Sequence, residues 1–195
     1  MKSLLVAISA CALLIAAPAW AQNAPTRAQS LSQQDKTFIQ EAGAGNLAEA
    51  ELGQLAEQKA ANPGVKVFGR WMYADHGLTA NKWLAAILQE HHESFQPTLT
   101  AEQKQMRQKL EGVSGTQFDQ QYVEMMVQDH EKTIPVFERE AKEGHNPLIK
   151  RYAGDLIPVL QQHLAGAKEL AGGSGMAAGQ GTSATQRPGT SSPQR

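Results

Sequence analysis

The sequence predicts an all-α fold, two helical hairpins joined by a long crossover. Three observations predict it. Apolar residues recur at three-four spacing through four long stretches, and no run of alternating β-branched residues interrupts them. The dipeptide Asn-Pro occurs twice, at 62–63 and 146–147, each time between two such stretches. Asn is a favoured N-cap and Pro a favoured first helical residue, so each pair marks a tight turn into a new helix.

The chain opens with Lys2 and a nearly continuous apolar run, Ser3 to Ala17. Pro18 breaks it, and Ala19-Trp20-Ala21 has the small-x-small form of a cleavage site. The run is too short for a membrane span. Residues 1–21 therefore read as a signal peptide, cleaved near Ala21, on a periplasmic or secreted protein. Ile8-Ser9-Ala10-Cys11 has the look of a lipoprotein box, but the apolar stretch continues past Cys11. That cysteine is the only one in the chain, so the mature protein has no disulfide and its fold rests on an apolar core. Removing Lys2 leaves the charge one unit more negative than the −1 of the full chain. This gives no electrostatic case for nucleic acid or an anionic membrane. No second apolar run predicts a transmembrane segment, and a protein partner is left open.

Residues 22–30 read as a flexible segment. Ser32 starts helix one as N-cap, with Asp35 at N3. Phe38, Ala42, Gly45, Glu49, Leu52 and Ala56 form its stripe, with glycines at 43, 45 and 53 for close helix approach. Helix two runs from Pro63 to about His91, with Phe68, Met72, Asp75, Thr79 and Leu84 on one face. A crossover follows with a short amphipathic helix, "TAEQKQMRQKLEG". Helix three carries Phe118, Tyr122, Met125, Asp129, Thr133 and Val136. Helix four carries Ile149, Tyr152, Leu156, Leu160, His163, Ala167 and Leu170. Pro135 and Pro158 fall inside helices three and four and are expected to kink them. Residues 172–195, rich in Gly, Ser, Thr, Pro and Gln, read as a disordered tail. The folded domain is thus residues 31–171. Two hairpins with one long crossover is the architecture of a ferritin-like four-helix bundle. The likeness of "NPGVKVFG" to "NPLIKRYA" points to duplication of an ancestral hairpin.

Four motifs in order, "GNLAEAELGQLA", "FGRWMYADH", "FDQQYVEMMVQDHEKTIPVFE" and "LIPVLQQHL", resemble a bacterial exported family of unknown function. Its members are assigned a ferritin-like helical bundle and often labelled outer-membrane or secreted proteins. The resemblance covers about residues 33–171. It implies fold and export, and no activity.

Chemistry concentrates at one height. "MYADH" (72–76) recurs as "MVQDH" (126–130). Glu49 and Asp75 each lie 13 residues from the turn at Asn62, roughly 20 Å at 1.5 Å per residue. Asp129 and His163 lie roughly 25 Å from the other turn by the same rise. Neighbouring helical residues diverge by about 100°, so each Asp-His pair should straddle a seam, one member entering the core. The candidates for this layer are Glu49, Asp75, His76, Asp129, His130 and His163. Two readings follow. In the first, the layer is a hydrogen-bonded network that fixes helix register in a non-catalytic envelope protein without cofactor. In the second, it binds a single transition-metal ion. A di-iron centre would need Glu-x-x-His on two helices, and residues 73, 127 and 160 are Tyr, Val and Leu. His91 and His92 read as a solvated helix end. Met72, Met125, Met126, Trp71 and Trp83 read as core, with copper ligation by the methionines a remote option. No nucleophile–base arrangement, phosphate loop or zinc knuckle appears, so an enzyme reading rests on a metal alone.

Overall fold

A computed structural model describes residues 30–173 of the 195-residue chain. The signal segment with its cleavage point and the Gly/Ser-rich tail lie outside the described residues, apart from the tail's first two positions. The described chain is helical: α1 (Gln33–Lys59), α2 (Pro63–Met72), a π-helical stretch (Tyr73–Ala80), α3 (Asn81–Glu90), α4 (Ala101–Glu111), α5 (Gly115–Glu143) and α6 (Pro147–Ala171). Among the described residues there is no strand, only an isolated backbone bridge between Ala60 and Gly115. None of these helices is long and apolar enough to cross a membrane.

α2, the π stretch and α3 follow one another without a break, so four helical rods result. α1 packs along α2 and the π stretch, and α5 packs along α6. Contacts of α1 with α5, and of α2 and α3 with α6, join the two pairs. α1 and α2 approach closely where Gly53 and Gly69 face each other. A Cβ added to Gly69 would lie 2.6 Å from the Gly53 carbonyl oxygen, so only glycine permits this crossing. Gly45, expected to serve the same purpose, faces open space: a Cβ added there would meet nothing within 4 Å.

Both turns are fastened the same way. Asn62 and Asn146 cap their helices through their side chains, Asn62 to the N–H of Gly64 and Asn146 to those of Leu148 and Ile149. A carboxylate from the other hairpin accepts the N–H groups just before each helix. Asp119 of α5 takes Ala61 and Asn62, and Asp35 of α1 takes His145 and Asn146. Asp35 also completes a capping box with Ser32. Burial alone would raise the Asp35 pKa. The donors from Ser32, Asn146 and His145 outweigh it and hold the group at about 2.

The apolar core is split in two. One cluster, around Phe38, Leu84, Phe137 and Tyr152, lies toward the Gly144 turn. The other, around Ala56, Phe68, Phe118 and Tyr122, lies toward the Asn62 turn. On every rod the polar candidates fall between the stretches that feed the two clusters.

Three expectations need correction. Helix two is not α-helical throughout: the hydrogen bonds widen to i→i+5 around Asp75 and His76, as where the Asn81 N–H donates to the His76 carbonyl. On α5 the buried face is Tyr122, Met126, His130, Ile134 and Phe137, one position on from the stripe read through Met125 and Asp129. A stripe in steps of four follows the ridge that helices use when they cross at an angle. Trp71, expected in the core, is 36% exposed, because its ring stands at the surface with its edge over Phe68 and His163. The two internal prolines, Pro135 and Pro158, sit on exposed positions within the unbroken helices α5 and α6.

Candidate metal centre

Three histidines meet between the two apolar clusters, one from each of three rods. His76 comes from the π stretch, His130 from α5 and His163 from α6, and all three are buried. His76 Nε2 lies 3.2 Å from His163 Nδ1, and His130 Nε2 lies 3.4 Å from the same atom. The Asp-His pairs do straddle the seams. His76 enters the core while Asp75, its side chain one-third exposed, reaches α6. His130 enters the core while Asp129 lies half-buried on the flank. The π stretch helps at the first pair, since a wider turn separates neighbours by less than the α-helical angle and lets both reach one site.

The outward nitrogen of each ring has a partner. His163 Nε2 is 3.0 Å from Asp75 Oδ2, and His130 Nδ1 is 2.9 Å from the carbonyl oxygen of Met126. A carboxylate and a backbone carbonyl only accept, so these two nitrogens carry the protons. His163 Nδ1 and His130 Nε2 therefore present lone pairs to each other. His76 Nδ1 is 2.9 Å from Asn46 Oδ1, and Asn46 Nδ2 donates to the Tyr152 hydroxyl at 2.9 Å. In this orientation His76 Nε2 is a third inward lone pair. If Asn46 turned over, His76 could donate to His163, yet His130 Nε2 would still find no donor.

An imidazolium here is disfavoured. Burial holds His76 well below the usual histidine range, and the neighbouring imidazoles push it further. Burial likewise lowers His163, to about 4, against the raising effect of Asp75. His130 is lowered by burial despite its bond to Met126 and the nearby Asp129.

Glu49 stands beside the cluster, its Oε1 3.9 Å from His130 Nδ1. It is 3% exposed, and its Oε2 meets no hydrogen-bond partner. Burial, then the charge of Asp129, raise its pKa well above the ordinary value. Glu49, Asp129 and His130 form a second group whose ligand atoms all lie within 4.8 Å of one another, as do those of the three histidines. A cavity of about 90 Å³ is lined by Asn46, Glu49, His76, Asp129 and His130 among others.

All six candidates thus gather at one level, but in distinct positions. His76, His130 and His163 converge, Asp75 backs His163, and Glu49 with Asp129 flank His130. The sequence reading missed Asn46, the Met126 carbonyl and Tyr152. Asn46 left a signal, because Asn is unfavoured inside a helix unless its side chain has work there. His91 bonds Asn146 through Nε2 at 3.1 Å and His145 is exposed; both lie at the Gly144 turn, away from the cluster.

Fold and site together define a helical protein with a buried imidazole cluster backed by carboxyl groups. Residues 21–170 match the family described as Domain of unknown function (DUF4142), and the chain belongs to that family. No curated protein and no solved structure shows significant similarity to it.

Proposed function

We propose that this is an exported protein with a ferritin-like four-helix bundle that binds one divalent transition-metal ion through His76, His130 and His163. The observation that carries this reading is the convergence of inward lone pairs. At least two nitrogens fixed by acceptor-only partners face each other in a buried site, an arrangement that a cation between them would stabilise. An ion 2.0–2.1 Å from each nitrogen in tetrahedral geometry would separate them by about 3.3–3.4 Å. The two spacings to His163 are 3.2 and 3.4 Å. The acceptors behind the rings, Asp75, Asn46 and the Met126 carbonyl, are the outer partners that histidine ligands ordinarily have. Three imidazoles and no thiolate suit zinc, copper, nickel or iron.

The rival reading is the register-fixing polar layer, with a proton in place of the ion. The proximity of Glu49 to His130 favours it. It is weaker because burial lowers the pKa of all three imidazoles and so disfavours the imidazolium it needs. The four rods, paired as two hairpins, support the ferritin-like assignment, and the Lys2-to-Ala21 pattern supports export.

Elemental analysis and calorimetric titration of the chelator-stripped mature protein test the reading. One zinc or cobalt ion per chain is expected, with a rise in melting temperature that grows with free ion. A stripped protein that takes up none of these ions, zinc, cobalt, copper or nickel, would leave the polar layer as the better account.

A further inference from the structure

The metal reading raises the question of how an ion reaches a buried cluster, and the carboxyl groups beside His130 supply an answer. Outside the inner cavity, a groove of about 1030 Å³ runs between α1, α5 and the crossover that carries Phe95 and Met106. Two acidic side chains, Glu41 and Asp129, line both the groove and the inner cavity. Glu49 lines the inner cavity and not the groove. The three are graded in depth: Glu41 is exposed, Asp129 half-buried and Glu49 buried. Glu49 Oε2, an orphaned atom at the inner end, is the unmet acceptor that a passing cation would satisfy.

We infer that Glu41, Asp129 and Glu49 form the loading route of the site, along which a divalent transition-metal ion passes from the groove to His76 and His130. Carboxylate oxygens bind such ions at distances close to those of imidazole nitrogen. Each can replace lost water ligands in turn, so the ion is never stripped bare at once. Asp75 is not part of this route. It faces His163, which does not line the inner cavity, and its oxygen is engaged with the His163 ring.

The inference rests on the metal reading, but kinetics separates the two. A residue that acts only on the path changes association and dissociation together and leaves the equilibrium constant alone. Stopped-flow mixing of cobalt or zinc with the stripped protein gives association, and chelator competition gives dissociation. Glu49→Gln, Asp129→Asn and the exposed, fold-safe Glu41→Gln should each slow both rates. The loss should be about tenfold at Asp129, the magnitude usual for charges that steer a ligand, and should shrink as salt rises. Affinity should change by much less than the tenfold or more seen when a ligand's outer partner is lost. Asp155→Asn, on the outer face of α6, should change neither rate. Unchanged association in all three variants would overturn the route while leaving the metal site standing. A loss of affinity confined to dissociation would make these groups ligands instead. Failure of the wild-type protein to bind either ion would overturn route and site together.

Discussion

His130 Nε2 and His163 Nδ1 lie 3.4 Å apart with no proton between them, because each ring has committed its proton to an acceptor on the other side. Two lone pairs at that distance in a buried site repel. A cation between them would relieve that repulsion.

Replacing His163 by Leu separates the two accounts of the cluster. It removes the lone-pair opposition and leaves Asp75, already one-third exposed, to water. The stripped variant should fall within about 1 kcal/mol of the stripped wild type by urea denaturation, since no buried partner is orphaned. The ion-dependent rise in melting temperature should vanish. A loss of several kcal/mol without metal would instead mark a structural network.

Asp75→Asn keeps the shape but weakens the acceptor that fixes the His163 tautomer. Ion affinity should fall about 10- to 100-fold, the usual cost of losing such a partner, with little change in the stripped protein. Isothermal titration calorimetry reads this directly.

Tyr152→Phe tests the chain Tyr152–Asn46–His76. Removing the hydroxyl leaves Asn46 Nδ2 buried without its acceptor, which should cost about 1–3 kcal/mol. It also frees the amide that orients His76, so ion affinity should fall, though by less than in Asp75→Asn. Equal affinity in Tyr152→Phe and wild type would show that Asn46 needs no such anchor.

Asp35 predicts a dependence on acid. Its folded pKa, about 2, is depressed below the ordinary value of 3.8. A depressed carboxyl contributes stability that is fully present above the unfolded value and is lost as pH falls through the folded one. Asp35→Asn should therefore cost roughly 2 kcal/mol at neutral pH, for two cross-hairpin hydrogen bonds to a charge. The gap between wild type and variant should close between about pH 4 and pH 2. A gap that stays constant across that window would show that the carboxylate's charge is not what fastens the turn.

Two glycines on different rods should respond oppositely to alanine. Gly69→Ala forces a methyl against the Gly53 carbonyl and the Ala56 side chain, so α1 and α2 must part. A loss of about 1–3 kcal/mol is expected, as for an overpacked core. At Gly154 the new Cβ meets Ala141 at 3.7 Å, an ordinary contact. There the better helix propensity should add about 0.5–1 kcal/mol. Thermal melts of both variants check the pair.

The sequence by itself determined the helices, their turns and the height at which chemistry gathers. These follow from local physics: apolar periodicity, Asn-Pro caps and a fixed rise per residue. It also holds a pairing at one fixed offset, whose meaning shows only beside the fold. Asp35 and Asp119 are 84 positions apart, as are Asn62 and Asn146, Phe68 and Tyr152, and Asn46 and His130. That register links the two turn-fastening aspartates, and it sets the Asn that backs His76 opposite a histidine of the cluster.

Tertiary structure alone decided which residue of each Asp-His pair enters the core. Spacing places a side chain to within about one position on a helix, and the angle at which the next helix crosses settles the remainder. On α5 that angle buried His130 and left Asp129 on the flank. At residues 73–80 a π-helical turn, invisible to a 3.6-residue pattern, let Asp75 and His76 serve one site. The proton positions came last, because a tautomer is fixed by whatever acceptor stands behind the ring. The Met126 carbonyl stands one turn back on α5 itself, but the Asp75 carboxylate, on another rod, takes up its place behind His163 only when the rods are packed.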